Sequence, residues 1–329
     1  MSRRASLLEA ALAGAACAAV TTLCLALGSK PLMDMVLRLS IFGLFALSLN
    51  VLVGYTGLVS FGHAMFFGFG AYAFGLLMQA GGVSIPLAFA ISLLATAALA
   101  AIVGALCIRL TAIYFAFLTL AFQMLLYEII LSWVSLTGGD QGLRGGIPRP
   151  VFIGVNLADP RHFFVLTCVV FFVSIFIMRQ ILEAPFGYTL RMLRDNTERA
   201  RALGVPVERY KLAAFVIAGV FAAVAGVLMS LYVSGAYPNF AFWTQSGEAI
   251  FMIMLGGVSV FLGPIVGAAA FLLLNDMITR YTEYNGLFMG IVLLCVVLGL
   301  REGLLDVVVH RLRRSPATRI PAKSEAPPL

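Results

Sequence analysis

Long apolar runs separated by brief polar breaks fill this chain, and their lengths are those of a bilayer crossing rather than of a soluble core. Such runs occupy 7–27, 36–53, 58–78, 86–108, 112–133, 163–178, 212–233, 242–258, 264–278 and 287–300. Most approach the 17 to 25 apolar residues, roughly, that span a hydrocarbon layer as a helix. The stretch between Glu248 and Ile278 has two parses, because Gly256-Gly257 and Gly263-Pro264 interrupt it with residues that weaken or end helices. Read as one span it gives nine crossings and leaves the basic tail (Arg301, Arg311, Arg313, Arg314, Arg319, Lys323) on the side opposite the basic N-terminus. Read as two it gives ten and puts both on one side, as the positive-inside bias requires. The pattern therefore predicts an all-α polytopic membrane protein of about ten transmembrane helices, some short or interrupted, with both termini cytoplasmic. The apolar run behind Arg3-Arg4 also has the outline of a secretory signal. The many spans that follow favour an uncleaved first crossing.

Residues 179–211 break the pattern. They carry seven basic and four acidic side chains out of 37 charged residues in the whole chain. Burying eleven charges at mid-bilayer would cost on the order of 30 kcal/mol, so this island lies outside lipid. Six crossings bring it to the cytoplasmic side, in agreement with its net charge of +3. Asp195-Asn196-Thr197-Glu198 has capping-box spacing with Asp195 as N-cap, and Gly204 and Pro206 supply stop signals, so a helix is predicted over 196–203. A second short helix is expected at 189–193. Asp195 with Arg199 and Glu198 with Arg201 have helical ion-pair spacing, at a few tenths of a kcal/mol each. On these residues alone, a rigid projection and an ordinary solvated loop are equal readings.

A mean hydropathy of +1.01 and 11% charged residues exclude an ordinary soluble domain. The net charge of +7 does not indicate nucleic acid, since the basic residues form no stripe with interleaved aromatics. The five cysteines all sit in apolar runs without CxxC spacing, which indicates neither disulfides nor a metal site. Residues 1–300 then form one membrane domain, 301–314 an amphipathic inner-surface helix (Leu304, Leu305, Val308 and Leu312 beside arginines), and 315–329 a disordered tail.

The 54–72 segment is dense in small residues. Ser60, Ala64, Gly68, Ala71 and Gly75 recur every three or four positions, a face on which helices can approach closely. With Gly57, Gly62 and Gly70 they are the candidates for helix packing, opposite a bulky stripe of Phe61, Met65, Phe69, Tyr72 and Leu76. Gly68 to Ala73 matches a dinucleotide fingerprint in letters only, since no strand precedes it and no acidic residue follows at the required distance. Asn50, Ser60, His63, Gln123, Glu128, Glu248 and Asn275 are polar within or beside apolar runs. Such residues either line a path or satisfy one another. For His63 interhelical hydrogen bonding is the simpler reading, and Glu248 also has the option of complementing a helix N-terminus.

No phosphate-binding loop, HExxH, GxSxG or paired His/Cys ligand spacing occurs, so no catalytic residue, metal site or bound cofactor is expected in this chain. GYTGLVSFGHAMFFGFGAY at 54–72, TGGDQGLRGGIPRP at 137–150, PFGYTLRMLRDNTERARALGV at 185–205, RYKLAAFVIAGVFAAVAG at 209–226 and LGGVSVFLGPIVGA at 255–268 together resemble the permease subunits of branched-chain amino-acid ABC importers of the Liv type, most closely the M-like member. The resemblance implies the type II ABC importer architecture and a path shared with a second permease subunit, either a related chain or a copy of itself. It also implies an external substrate-binding protein and two cytoplasmic ATPase subunits that hold ATP and Mg. It makes the charged island a coupling loop, with Arg191, Arg194, Asp195, Glu198, Arg199, Ala202 and Gly204 as the residues facing the ATPase. A bacterial inner-membrane location follows. Urea and short-amide importers share much of this pattern, and a secondary transporter also uses interrupted helices. Residues 137–150, with Asp140, Arg144 and Arg149, either meet the binding protein, close an outer gate or form a plain loop.

Overall fold

The computed structural model describes residues 22, 29–110, 112–143, 146–147, 151–152, 155–156, 159–281, 284, 286–291, 294 and 303–305. Apart from isolated positions, the run at 7–27, much of 287–300, the 301–314 segment and the 315–329 tail lie outside the described residues.

Helix α1 (Lys30–Asn50) passes directly into a π-helical turn (Val51–Thr56), where Gly57 in the left-handed region (φ 74°) ends it. Non-helical residues 57–63 lead to α2 (Ala64–Ala80), followed by α3 (Ile85–Cys107), α4 (Ala112–Ser132) and the short α5 (Val134–Thr137). Two residue pairs, Val151–Phe152 and Val155–Asn156, form a minimal antiparallel hairpin. Then come α6 (Pro160–Glu183), α7 (Pro185–Asp195), α8 (Thr197–Ala202), α9 (Val207–Val233), α10 (Trp243–Gly256) and α11 (Gly263–Tyr281). Proline sets several starts: Pro31, Pro86, Pro160 and Pro185 each lie in a first turn, where the missing N–H costs nothing. At α6 the Asp159 carboxylate also accepts from the Arg161 N–H at 2.9 Å.

Five described helices are long and apolar enough to cross a membrane: Lys30–Thr56, Ile85–Cys107, Ile113–Ser132, Pro160–Glu183 and Val207–Val233. The first and last are mostly buried inside the bundle and form its centre; the other three expose most of their surface. Small residues let α9 approach α2: a Cβ on Gly70 would lie 2.7 Å from Cα of Ala223, and one on Gly226 would strike the Phe67 carbonyl. Close backbone approach of this kind replaces the hydrophobic drive that lipid cannot supply. Around it, Phe66 meets Phe215 (5.3 Å between centroids) and Phe45 meets Phe67 (4.9 Å).

Two crossings differ from a plain hydropathy parse. The run at 58–78 is not one helix, because Gly57 ends the π turn and Gly62 presses its backbone on the Thr119 carbonyl, leaving 57–63 outside any helix. Ser60 is therefore not on the face it was expected to share with Ala64. Met65 and Tyr72 of the bulky stripe are buried against other helices. The second departure follows α9. The chain turns at Ser234 (φ 54°) and re-enters the bundle as a short 3-10 helix, Pro238–Ala241. Ala241 packs on Gly68 and Phe240 on Phe67, 5.8 Å between rings. Helix α10 consequently begins deep in the bundle, opposite Gln123 in the middle of α4.

The α10–α11 connection has the break expected at Gly256, Gly257, Gly263 and Pro264. Helix α10 ends at Gly256, Gly257 takes φ 118°, and α11 opens with Gly263-Pro264. The hairpin is tight: a Cβ at Gly256 would strike the Gly263 carbonyl, and one at Gly267 the Met252 carbonyl.

Candidate functional site

The charged island folds as two helices joined through the extended Asn196. Helix α7 is amphipathic, burying Gly187, Leu190 and Leu193 against the bundle and turning Tyr188, Arg191 and Arg194 outward. It is longer than the 189–193 segment expected, because Pro185 provides an earlier start. Asp195 is not an N-cap; it is the last residue of α7. Asn196, extended at φ −161°, is the cap of α8, and its side-chain oxygen accepts the Arg199 N–H at 2.8 Å. That extended residue breaks the helical spacing between Asp195 and Arg199, and no ion pair joins them among the described residues. Arg201 does pair with Glu198 (2.8 Å) and also with Glu208 of α9 (2.9 Å). The hydrogen bond that Arg201 donates to Glu208, then the charge of Glu198, hold the guanidinium above its ordinary pKa. Helix α8 ends in a Schellman turn: Val205 N–H bonds the Ala200 carbonyl at 3.2 Å and Gly204 N–H the Arg201 carbonyl at 3.0 Å, with Gly204 at φ 84°. Ala202, Leu203 and Gly204 are exposed at the tip, Leu203 to 70%.

This projection is tied to the centre of the bundle. The Arg194 guanidinium donates to the Gly54 carbonyl in the π turn of α1. Arg191 lies over the Tyr55 ring at 5.1 Å and reaches the Leu182 carbonyl at 3.4 Å. Gly57, expected to pack helices, instead makes the left-handed turn whose surface lies against Arg194. Gly54 lies in the last turn before the helix ends at Gly57, where carbonyls have no intrahelical partner, which is why an outside donor can be accepted here.

Two further polar groupings lie within the bundle. The first is buried. Ser246 of α10 accepts the Ala64 N–H at 2.8 Å and donates to Gln123 Oε1 at 2.9 Å, while Gln123 Nε2 donates to the Ala241 carbonyl at 3.1 Å. The Gln123 amide holds α4, α10, the 3-10 helix and the start of α2 together. Ser246, which no pattern in the sequence marked, supplies the cap that α2 lacks locally. Beside it, Ser48 Oγ donates to the Phe45 carbonyl at 2.7 Å and lies 2.8 Å from His63 Nε2. A hydroxyl has one proton, so Nε2 carries the imidazole proton and donates to Ser48. Asn50 and Ser60 are fully buried, and among the described residues neither their side-chain polar atoms nor His63 Nδ1 has a protein partner. Ala64, Gly68, Gly70, Ala71 and Gly75 are all in α2; Gly75 faces Leu143 and Ile147.

The second grouping reaches the surface. Glu248 and Asn275 line one cavity of about 340 Å³ between α10, α11 and residues 286–290, walled by Trp243, Phe251, Phe271 and Met289. Gln245 Nε2 approaches the Glu248 carboxylate at 3.4 Å. Glu128 stands apart on α4, exposed on the same outer face as Phe117 and Leu125. Tyr127 packs on Phe242 at 4.8 Å, so α4 and the start of α10 make one wall. Among the described residues no group of His, Cys, Asp and Glu could hold a metal ion.

The family model described as "Branched-chain amino acid transport system / permease component" matches residues 31–297. The chain belongs to this permease family. Among curated relatives, the high-affinity branched-chain amino acid transport system permease protein LivM of Escherichia coli K12 is 26% identical over 308 residues, covering 87% of this chain and 72% of its own. The probable LivM of Methanocaldococcus jannaschii is 26% identical over 74% of this chain and 81% of the relative. The autoinducer 2 import system permease protein LsrC of Salmonella paratyphi B is 30% identical over 58% of this chain and 56% of its own. No solved structure matches the chain. Membership makes this a multi-pass inner-membrane permease subunit of an ABC importer, a family that works with ATPase and binding-protein components.

Proposed function

We propose that this permease carries branched-chain or chemically related amino acids, forming half of a translocation path completed by a second permease subunit. The α7–α8 end faces the cytoplasm, with both termini on that side. Two ATPase subunits dock there and bind the ATP and Mg; this chain itself does no covalent chemistry. An external binding protein delivers the solute at the opposite end.

The observation that carries the reading is the anchoring of α7 to α1. Arg194 and Arg191 grip the π turn of the central helix, so a push on the exposed surface of α8 reaches the bundle's core through Gly54 and Tyr55. Arg191, Arg194, Asp195, Glu198, Arg199, Ala202 and Gly204 form the docking surface, with Leu203 as its apolar knob. On the path side, Glu128 lies on an outward face where lipid would disfavour a charge, which supports α4 and α10 as the wall shared with the second subunit. Glu248 and Asn275 offer an acceptor and an amide inside an apolar cavity, a lining suited to a small zwitterion with an apolar side chain.

The test is uptake in proteoliposomes containing the complete importer. Arg194→Gln is expected to leave insertion unchanged while lowering substrate-stimulated ATP hydrolysis and leucine uptake together. Uptake by this chain alone under an ion gradient, with no ATPase present, would overturn the importer reading. Unchanged stimulation in Arg194→Gln would overturn the coupling role.

A further inference from the structure

A cavity of about 440 Å³ opens where α3 ends, beside α7, α8 and the first turn of α9. Four cations (Arg109, Arg194, Arg201, Lys211) and two carboxylates (Glu198, Glu208) line it, a net charge of +2. Three of these charges are internally engaged, since Arg201 bridges Glu198 and Glu208. Arg194 is held by the Gly54 carbonyl. Arg109, exposed, and Lys211, half-buried, make no hydrogen bond or ion pair among the described residues. The cavity therefore presents two cations without a hydrogen bond or ion pair among the described residues, of which Lys211 also lies within electrostatic reach of Glu208 and Glu198.

Its position along the membrane normal follows from α3. Leu87, Ile91, Leu94, Ala98, Ile102 and Leu106 recur every three or four residues and are all exposed, an unbroken apolar face. From Leu87 to Leu106 this face measures about 29 Å along the axis, against about 30 Å for the hydrocarbon core. Arg109 comes just past its end. Arg109 and Lys211 thus lie at headgroup depth, at the foot of a helix face that has the length and composition to contact acyl chains. Positive pockets at this depth attract anionic headgroups.

We propose that this cavity binds an anionic phospholipid, with its phosphate between Arg109 and Lys211 and an acyl chain along the Ile102–Leu106 face of α3. Because Arg194 and Glu198 line the same cavity, the lipid would brace the α7–α8 projection from the membrane side.

The experiment is native mass spectrometry of the purified importer complex, stripped of lipid and titrated separately with phosphatidylglycerol and phosphatidylcholine. The intact complex is expected to retain phosphatidylglycerol preferentially. Arg109→Gln and Lys211→Gln should each weaken that retention by about fivefold and the double variant by roughly 30-fold, without altering phosphatidylcholine binding. Arg109→Lys with Lys211→Arg controls for folding and should keep the preference. Equal binding of the two lipids, or an unchanged preference in the double variant, overturns the proposal. Displacement of phosphatidylglycerol by millimolar inorganic phosphate would identify a soluble anion instead. Loss of the ATPase subunits from the double variant with lipid binding intact would assign the cavity to a protein contact.

Discussion

Replacing Ser246 by alanine isolates the contact that holds the two interrupted regions of the bundle to each other. The hydroxyl has two partners, the Ala64 N–H at 2.8 Å and Gln123 Oε1 at 2.9 Å, and all three residues are fully buried. Removing it orphans one donor and one acceptor. At about 1 to 3 kcal/mol for each buried unsatisfied group, the upper range is about 2 to 6 kcal/mol. Interhelical hydrogen bonds in membranes average only about 0.6 kcal/mol, because a chain unfolded within the bilayer finds other partners. Here the upper estimate is favoured by geometry. Ala64 opens α2, so its N–H has no carbonyl one turn earlier, and its neighbours Gly62 and Thr119 are already in backbone contact. We expect a loss of about 2 to 3 kcal/mol, read from reversible unfolding in mixed detergent micelles. Gln123→Leu measured alone and with Ser246→Ala should show a coupling of about 1 kcal/mol. A loss below about 0.6 kcal/mol for Ser246→Ala would refute the reasoning, since the bond would then be no better than an average one.

Three shorter predictions address other parts of the molecule. Gly204→Ala forces a side chain into the left-handed region at a cost of about 1 to 2 kcal/mol; hydrogen exchange at residues 204 and 205 should accelerate while Gly204→Asn stays closer to the parent, and unchanged exchange counts against the Schellman assignment. Gly70→Val should break the α2–α9 approach, costing roughly 3 kcal/mol or more by overpacking, whereas Gly247→Ala, which meets no atom within 4 Å, should insert normally; equal stability of the two refutes the close-packing account. Arg38 and Asp276, 2.7 Å apart and about one-third exposed, should show a coupling of about 1 kcal/mol or less in a double-mutant cycle, with the swapped pair Arg38→Asp and Asp276→Arg recovering part of either single loss.

Hydropathy was sufficient to find most crossings, because a membrane helix is written in composition over some twenty consecutive residues. Gly256-Gly257 and Gly263-Pro264 were equally readable, since backbone freedom and a missing N–H act locally. The harder cases were those where an apolar segment is not helical. Leu58, Val59 and Phe61 look like span residues, and the left-handed Gly57 and the pressure of Gly62 on Thr119 keep 57–63 out of a helix. The cap of α8 was misplaced by one residue, as Asp195 and Asn196 are both good caps and only tertiary packing of Leu190 and Leu193 decides where α7 stops. Within the polar set, burial separated residues that composition treats alike. Gln123 and His63 are committed to neighbours, while Glu248 and Asn275 share a cavity. Ser246 and Arg109 had no readable signal, because a lone serine near a helix start and a lone arginine at a span's end are ordinary until the partners arrive from distant parts of the chain.

Helix α1 with its π turn is fastened at two points, one in its first half and one near its C-terminal end. Arg38 holds Asp276 of α11, and the Gly54 carbonyl holds Arg194 of α7, with about 24 Å of continuous helix between them. A stiff rod pinned at two points cannot bend to absorb a displacement at one pin; it slides or pivots as a whole. A displacement of α7, if the coupling role proposed above holds, would therefore be felt at α11 through the same helix.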